Sequence, residues 1–161
     1  MATIQMSVRP EDLSQMPKGA ERVPEQAILT IFGASGDLTK RKLLPALFHL
    51  YQAGLMPQQF AVVGVARRPL GDTFAADMRS GIVEFGGIDA SDPKLDSFIS
   101  HVSYFPLHFD DPAHYAGLKT ELDRIAEEKQ IGPDRLYYLA TAPEFFAGIV
   151  ENLGAQGMAQ P

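Results

Sequence analysis

Short hydrophobic runs alternate along this chain with longer segments in which hydrophobic positions recur at helical spacing. The runs cover residues 27–32, 60–66, 102–105 and 135–140 and are rich in Val, Ile, Leu, Phe and Tyr. Runs of this length, bounded by glycine, proline or polar residues, are typical of strands buried in a sheet. The pattern therefore predicts four strands, of which the third is the weakest.

The segments between the runs predict helices. After residue 38, Leu43, Leu47 and Leu50 recur at i, i+4 and i+7, which gives one apolar helix face. Pro45 lies inside this helix and removes a backbone donor, so we expect a kink or an early tight turn there, and Gly54 is predicted to end the helix. Further helices are predicted over residues 73–85, 112–129 and 144–153.

Strand and helix thus alternate four times, which predicts an α/β fold with a parallel sheet and right-handed crossovers. The predicted domain covers residues 26–161. Residues 1–25 carry scattered prolines and acidic side chains without an apolar segment. We expect them to form a flexible leader that is neither a secretory signal nor a transit peptide, and we expect a cytoplasmic protein.

The charge and composition narrow the class of protein. The 161 residues carry a net charge of −6 and no cysteine, which excludes disulfide scaffolds, thiolate metal sites and cysteine nucleophiles from this sequence. The acidic balance argues against nucleic-acid binding, and no apolar run is long enough to span a membrane. Only 14 residues are Lys or Arg, yet several are concentrated in residues 40–42 and 67–68.

A glycine-rich turn joins the first predicted strand to the first predicted helix. Gly33 allows a tight backbone turn, and Gly36 allows a ligand to approach the backbone. The helix after this turn directs unpaired N–H groups toward the same space, which suits a phosphate or a diphosphate. The turn thus indicates dinucleotide binding, with GxxG rather than GxGxxG spacing. Its candidate cofactor-binding residues are Gly33, Ala34, Ser35, Gly36, Asp37, Leu38, Thr39 and Lys40.

Other interpretations of this turn stay open. A P-loop would need Gly-Lys-Ser/Thr at its end, but Gly36 precedes Asp37. A hydrolase nucleophile elbow would place Ser35 at its centre but needs glycine where Asp37 stands. The third interpretation is a glycine turn that binds no ligand.

The second predicted strand ends in Arg67 and Arg68, at the position where an acidic residue would select NAD. A guanidinium can instead bind a 2′-phosphate through two hydrogen bonds. We therefore expect NADP, with Arg67 as the principal contact and Arg68 as an auxiliary one; the alternative is a solvated basic turn. The four histidines show no metal-ligand spacing, and Asp110-Asp111 before Pro112 are expected to cap a helix rather than bind metal.

One segment has a specific likeness to a known family. Residues 32–50 read FGASGDLTKRKLLPALFHL and resemble the opening signature of the glucose-6-phosphate dehydrogenases. The likeness continues through residues 62–67, 105–107 and 136–140. It implies a Rossmann-like, doubly wound NADP-binding domain. It also implies oxidation of glucose 6-phosphate to 6-phosphogluconolactone, the first step of the pentose phosphate pathway.

The resemblance also implies roles for individual residues. It assigns the cofactor diphosphate to residues 33–40 and the 2′-phosphate to Arg67, and it places Lys42 near the sugar phosphate and the nicotinamide. Residues 141–143 are expected near the nicotinamide as well. Phe146 stands where relatives commonly have a tyrosine, so no hydroxyl contact is expected there.

The general base and the large second domain of the family have no counterpart in these 161 residues. We therefore expect no catalytic residue here, a sheet that is incomplete at its C-terminal side, and negligible dehydrogenase activity from the chain alone, because a general base contributes ~10²–10⁴-fold. Full-length relatives are expected to be homo-oligomers. An unpaired sheet edge further predicts self-association. The alternatives are a non-catalytic NADP-binding module and, centred on Ser35, a serine hydrolase.

Overall fold

Four parallel strands form the centre of the molecule. The computed structural model describes residues 25–159, so the predicted leader lies outside the described residues except for Glu25. The strands are β1 (Ala27–Phe32), β2 (Phe60–Ala66), β3 (Val102–Pro106) and β4 (Arg135–Leu139). Their order in the sheet is β3-β2-β1-β4, and all three pairings are parallel. The predicted parallel α/β sheet is confirmed.

In the described part of the chain, five α-helices connect or follow the strands. They are α1 (Leu44–Gln52), α2 (Thr73–Gly86), α3 (Pro93–Ile99), α4 (Pro112–Lys129) and α5 (Phe146–Ala155). A π-helical turn, Thr39–Leu43, precedes α1, and a 3₁₀ turn, Pro143–Phe145, precedes α5. Within residues 25–159, no helix is both long and apolar enough to cross a membrane.

The sheet is covered on both faces, as a doubly wound fold requires. Ile28 and Phe32 of β1 pack on one side with the buried residues of α4 and α5. Ile31 and Val62 point to the other side and pack with α1, α2 and α3. This division results from the alternation of side chains along each strand. Both faces of β2 are covered, which explains its continuous hydrophobic run.

Helix α3 is an element that the sequence pattern did not predict. Asp92 begins it, since its side chain accepts a hydrogen bond of 2.9 Å from Lys94 N, and Pro93 occupies the first turn. Leu95 and Phe98 are fully buried against the α1–α2 side of the sheet. The connection from β2 to β3 therefore contains two helices rather than one.

The start of the first helix also differs from the prediction. The chain does not tighten before Pro45 but widens, because the Leu44 N–H donates to Thr39 O, five residues back. A π-type turn of this kind moves the carbonyl with which the proline ring would otherwise clash. The predicted end is confirmed: α1 stops just before Gly54, whose φ is +73°.

The strand order defines where a ligand can enter. β1 lies between β2 and β4, so the chain leaves β1 toward one edge of the sheet and later returns to its other side. In open α/β sheets, ligands bind at the carboxyl ends of the strands, next to such a switch point. The glycine turn after β1 is located there.

Candidate functional site

A cavity of about 430 Å³ opens at the carboxyl edge of the sheet. It is bounded by residues that come after each of the four strands, so the parallel arrangement brings together positions that are far apart in sequence. Its lining residues are Gly33, Ser35, Ala66, Arg67, Arg68, His108, Phe109, Asp110 and Phe145. Four predicted cofactor contacts therefore border one space: Gly33, Ser35, Arg67 and the auxiliary Arg68.

Gly33 is required at the end of β1 by both conformation and space. Its φ is +87°, in the left-handed region that side chains disfavour. A Cβ at this position would lie 2.5 Å from the carbonyl oxygen of Ala140, just after β4. The glycine therefore lets the first strand turn while it stays close to the neighbouring strand.

The backbone N–H groups of the turn divide into two sets. The N–H groups of Gly33 and Ala34 both donate to Val65 O, at 2.8 and 3.2 Å, and Gly36 N–H donates to Gly33 O at 3.1 Å. These three donors hold the turn. The N–H of Ser35 makes no hydrogen bond to another residue in the range 25–159. Ser35 lines the cavity, so this unengaged donor is a candidate contact for an anion.

The remaining predicted residues of the turn occupy different surroundings. Ala34 and Thr39 are fully buried, and the Thr39 hydroxyl has no hydrogen-bond partner among the described residues. Asp37 is exposed, with a weak 3.8 Å ion pair to Arg41. Leu38 is also exposed. None of these four side chains lines the main cavity.

The two predicted lysines also lie apart from the main cavity. The stem of Lys40 crosses α2 at Gly81, where a Cβ would lie 2.7 Å from Lys40 Cγ. Lys40 lines a smaller cavity of about 170 Å³ on the other side of the glycine turn, and Arg68 borders both cavities. Lys42 is exposed on the π-helical turn and lines neither cavity.

Arg67 and Arg68 come directly after β2 and are both exposed. Within the described part of the chain, neither guanidinium forms an ion pair with a carboxylate. Asp110 borders the same cavity but is not paired with either of them. The two cations are therefore free to bind an anion from solution.

A residue that the sequence did not single out holds this basic loop. The Tyr104 hydroxyl on β3 shares its single proton between two carbonyl acceptors, Ala66 O, at 2.9 Å, and Arg68 O. Burial raises the pKa of Tyr104, with Arg68 as a smaller opposing influence, so the phenol stays a donor at neutral pH. Only the register of β2 against β3 reveals this contact.

The loop between β3 and α4 also lines the cavity. The sequence pattern did not indicate this role. Buried Tyr115 donates to Phe109 O at 2.8 Å, and His108 N–H donates to Nδ1 of His114 at 2.9 Å. Burial raises the pKa of Tyr115 to about 12, so its hydroxyl also stays protonated. Of the two predicted capping residues, Asp111 caps α4 at Ala113 N, whereas Asp110 borders the cavity.

The segment after β4 lines the remaining side of the cavity. Thr141 lies against the Gly33 turn, and Phe145 lines the cavity. Phe146 is exposed at the start of α5 and does not line it. The cavity thus combines a backbone donor, two guanidiniums that no described carboxylate pairs with, and aromatic walls, which suits a phosphate-bearing ligand with planar rings.

The sequence of this chain is similar to a known protein family and to individual members of it. A family model described as "Glucose-6-phosphate dehydrogenase, NAD binding domain" matches residues 30–161. Glucose-6-phosphate 1-dehydrogenase of Bacillus subtilis (strain 168) is 41% identical over 133 residues, and that of Leuconostoc mesenteroides is 37% identical over 134 residues. Each alignment covers 83% of this chain.

Comparison with solved structures gives the same family as the sequence comparison. A structure of glucose-6-phosphate dehydrogenase in complex with its substrate glucose-6-phosphate matches with a TM-score of 0.73 and 34% identity over 84% of this chain. The alignments cover only 26% and 27% of the two curated relatives and 28% of that solved chain. The chain thus spans about a quarter of the length of the relatives it matches.

Proposed function

This chain belongs to the glucose-6-phosphate dehydrogenase family, and from that premise we propose that it is the NADP-binding part of an enzyme that oxidises glucose 6-phosphate to 6-phosphogluconolactone. The family match supports a nicotinamide dinucleotide cofactor, and NADP is our more specific proposal. The cofactor, when bound, supplies the hydride acceptor; this chain's residues bind and orient it. We also propose a cytoplasmic location and a place in the pentose phosphate pathway.

The basic loop after β2 is the observation that carries the choice of NADP. Arg67 and Arg68 stand where a carboxylate would bond the ribose hydroxyls of NAD, and both face the cavity without a partner among the described residues. A guanidinium binds a phosphate through two parallel hydrogen bonds. We assign the 2′-phosphate to Arg67, with Arg68 as the auxiliary contact.

The glycine turn is proposed to hold the diphosphate. Because the N–H groups of Gly33, Ala34 and Gly36 are engaged within the turn, these residues contribute its shape, and Ser35 contributes an available donor. Residues 37–40 begin the helix whose N-terminal end favours a negative charge. Lys42 is proposed to act at the sugar-phosphate side, in the full-length enzyme.

Two further proposals concern organisation. We propose that residues 26–161 form a single dinucleotide-binding domain preceded by a leader of residues 1–25. We also propose that sugar binding, general-base catalysis and homo-oligomer formation depend on parts of the full-length enzyme outside the quarter that this chain matches.

Cofactor titration of the 161-residue chain tests the assignment. NADP and NAD are titrated by calorimetry against the wild type, Arg67→Ala and Arg68→Ala. A hydrogen bond between charged groups contributes about 1.5–3 kcal/mol, so Arg67→Ala is expected to weaken NADP binding about tenfold to hundredfold, and Arg68→Ala less. NAD binding should change little, because NAD has no 2′-phosphate.

Arg124→Ala is the matched control. Arg124 is an exposed arginine on α4 that pairs with Glu121 and Glu128 and does not line the cavity. It removes the same charge without touching the proposed phosphate site, so both affinities should be retained. Equal binding of NADP and NAD by the wild type would contradict the proposed 2′-phosphate site.

A further inference from the structure

We infer that Tyr104 is a positioning residue that sets the preference of the cavity for a dinucleotide carrying a 2′-phosphate. This inference rests on the proposed function and extends it to a side chain outside the cavity lining. Tyr104 does not line either cavity next to the glycine turn, so any influence on the cofactor passes through the basic loop.

The contacts of the hydroxyl flank the principal arginine. Tyr104 Oη donates to Ala66 O, at 2.9 Å, and to Arg68 O. These two carbonyls belong to the residues immediately before and after Arg67. Backbone N–H groups also reach these carbonyls, Leu107 N–H at Ala66 O and Leu70 N–H at Arg68 O, both at 2.9 Å. Tyr104 is the side chain that ties the two carbonyls to each other, on both sides of the proposed phosphate-binding arginine.

The Tyr104 ring is itself held by packing. In the register of β2 against β3, Tyr104 stands opposite Gly64. A Cβ on Gly64 would clash with Cζ of Phe74, so the missing side chain makes room for the Phe74 ring. That ring packs against the Tyr104 ring at a centroid distance of 5.1 Å. Gly64 and Phe74 thereby fix where the hydroxyl points.

Among the described residues, no ion pair holds the basic loop. Arg67 and Arg68 are exposed and form no ion pair with a carboxylate in the described part of the chain, and the loop continues into Pro69 and Leu70. Without the hydroxyl, the loop would sample more conformations, and binding would have to restrict them. A site whose ligands are already oriented binds more tightly than one that must be ordered on binding.

The inference predicts a selective effect, because only the 2′-phosphate distinguishes NADP from NAD. Tyr104→Phe removes the hydroxyl and keeps the ring. Loss of hydrogen bonds of this kind is expected to weaken NADP binding about threefold to tenfold. NAD binding should remain within about twofold, since the other cofactor contacts do not depend on this loop.

The experiment titrates NADP and NAD by calorimetry against the 161-residue wild type, Tyr104→Phe and Tyr51→Phe. Tyr51→Phe is the matched control, because its hydroxyl bonds Ser97 at 2.6 Å and does not border the cavity. The control should leave both affinities unchanged. The thermal midpoint of each variant is recorded, so that a general loss of stability is seen separately.

A double variant tests whether Tyr104 affects NADP binding through Arg67. In an Arg67→Ala background, Tyr104→Phe should weaken NADP binding clearly less than it does in the wild type, because the principal arginine that it positions is gone and only the auxiliary Arg68 remains. An equal, additive loss in both backgrounds would overturn the inference, as would equal weakening of NADP and NAD by Tyr104→Phe. If Tyr104→Phe retains its affinity for NADP while Arg67→Ala loses it, the inference is overturned and the proposed function stands. A wild type without any preference for NADP would overturn both.

Discussion

Gly33 shows how one residue can join the fold to the site. Its φ of +87° turns the chain out of β1, and its missing side chain leaves space for the backbone of Ala140 after β4. Its N–H also bonds Val65 O of β2. The turn that borders the proposed cofactor cavity is thus held by both neighbouring strands at a single position.

Gly33→Ala is therefore expected to destabilise the protein strongly. An alanine with positive φ is strained, and its Cβ would lie 2.5 Å from Ala140 O, so the ends of β1 and β4 would have to separate. We expect the free energy of unfolding, measured by urea denaturation, to fall by more than about 2 kcal/mol.

The control for this substitution is Gly54→Ala. Gly54 also has a positive φ, +73°, but a Cβ there meets no atom within 4 Å. It reports the cost of the backbone conformation alone, about 1–2 kcal/mol. Similar losses in the two variants would show that the close approach of β4 does not contribute to the stability of the turn.

At the residue scale, the sequence alone predicted candidate site residues at strand ends that the structure places around one cavity. Gly33, Ser35 and Arg67 are each located next to a predicted strand, and parallel pairing places strand ends at one edge. The sequence did not reveal Tyr104, since that residue acts across the sheet through the register of β3 with β2. The loop of His108 and Phe109 was also missed, because no local pattern shows which wall a loop forms.

At the scale of elements, α4 depends on a cap that the sequence predicts. Asp111 accepts a 3.0 Å hydrogen bond from Ala113 N, and Pro112 occupies the first turn. The cap also fixes where the cavity loop ends, because His114, in the first turn of the helix, bonds the N–H of His108. The start of α4 and the cavity wall are therefore a single hydrogen-bonded unit.

We expect Asp111→Ala to lower the free energy of unfolding by about 1 kcal/mol, through loss of the cap. Asp110→Ala removes the same charge one residue earlier but removes no cap, and it should stay within about 0.5 kcal/mol of the wild type. Urea denaturation of the two variants measures the difference. An equal effect of both substitutions would mean that charge, rather than the hydrogen bond, stabilises this end of the helix.

The elements that the sequence missed have a physical reason in common. Helix α3 has seven residues, which is fewer than two full turns, so its buried Leu95 and Phe98 make a single helical repeat rather than a periodic face. The π-helical turn before Pro45 arises from steric conflict between the ring and the preceding turn, and hydrophobic spacing does not encode how that conflict is relieved. Long helices with a periodic apolar face, such as α4, were predicted, because neither of these two difficulties applies to them.

At the scale of the whole molecule, β4 forms an edge of the sheet. Within residues 25–159, β4 pairs only with β1, so its other side carries unpaired backbone groups. Leu136 on this edge strand is 48% exposed. Beside it runs an apolar groove of about 190 Å³. The groove is lined by Leu29, Ile31, Leu43, Ala46, Leu47, Leu50 and Tyr138.

An apolar strand edge of this kind is a template for pairing with another chain, so we expect the purified 161-residue chain to self-associate through β4. Sedimentation velocity over a range of concentrations should show species larger than the monomer. Leu136→Lys places a charge on the edge and should shift the distribution toward monomer, whereas Val150→Lys, an equally exposed position on α5, should not. Because the two lysines add the same charge, a shift toward monomer in both variants would show that the association depends on net charge. A wild type that stays monomeric at every concentration would mean that the edge of β4 is already covered.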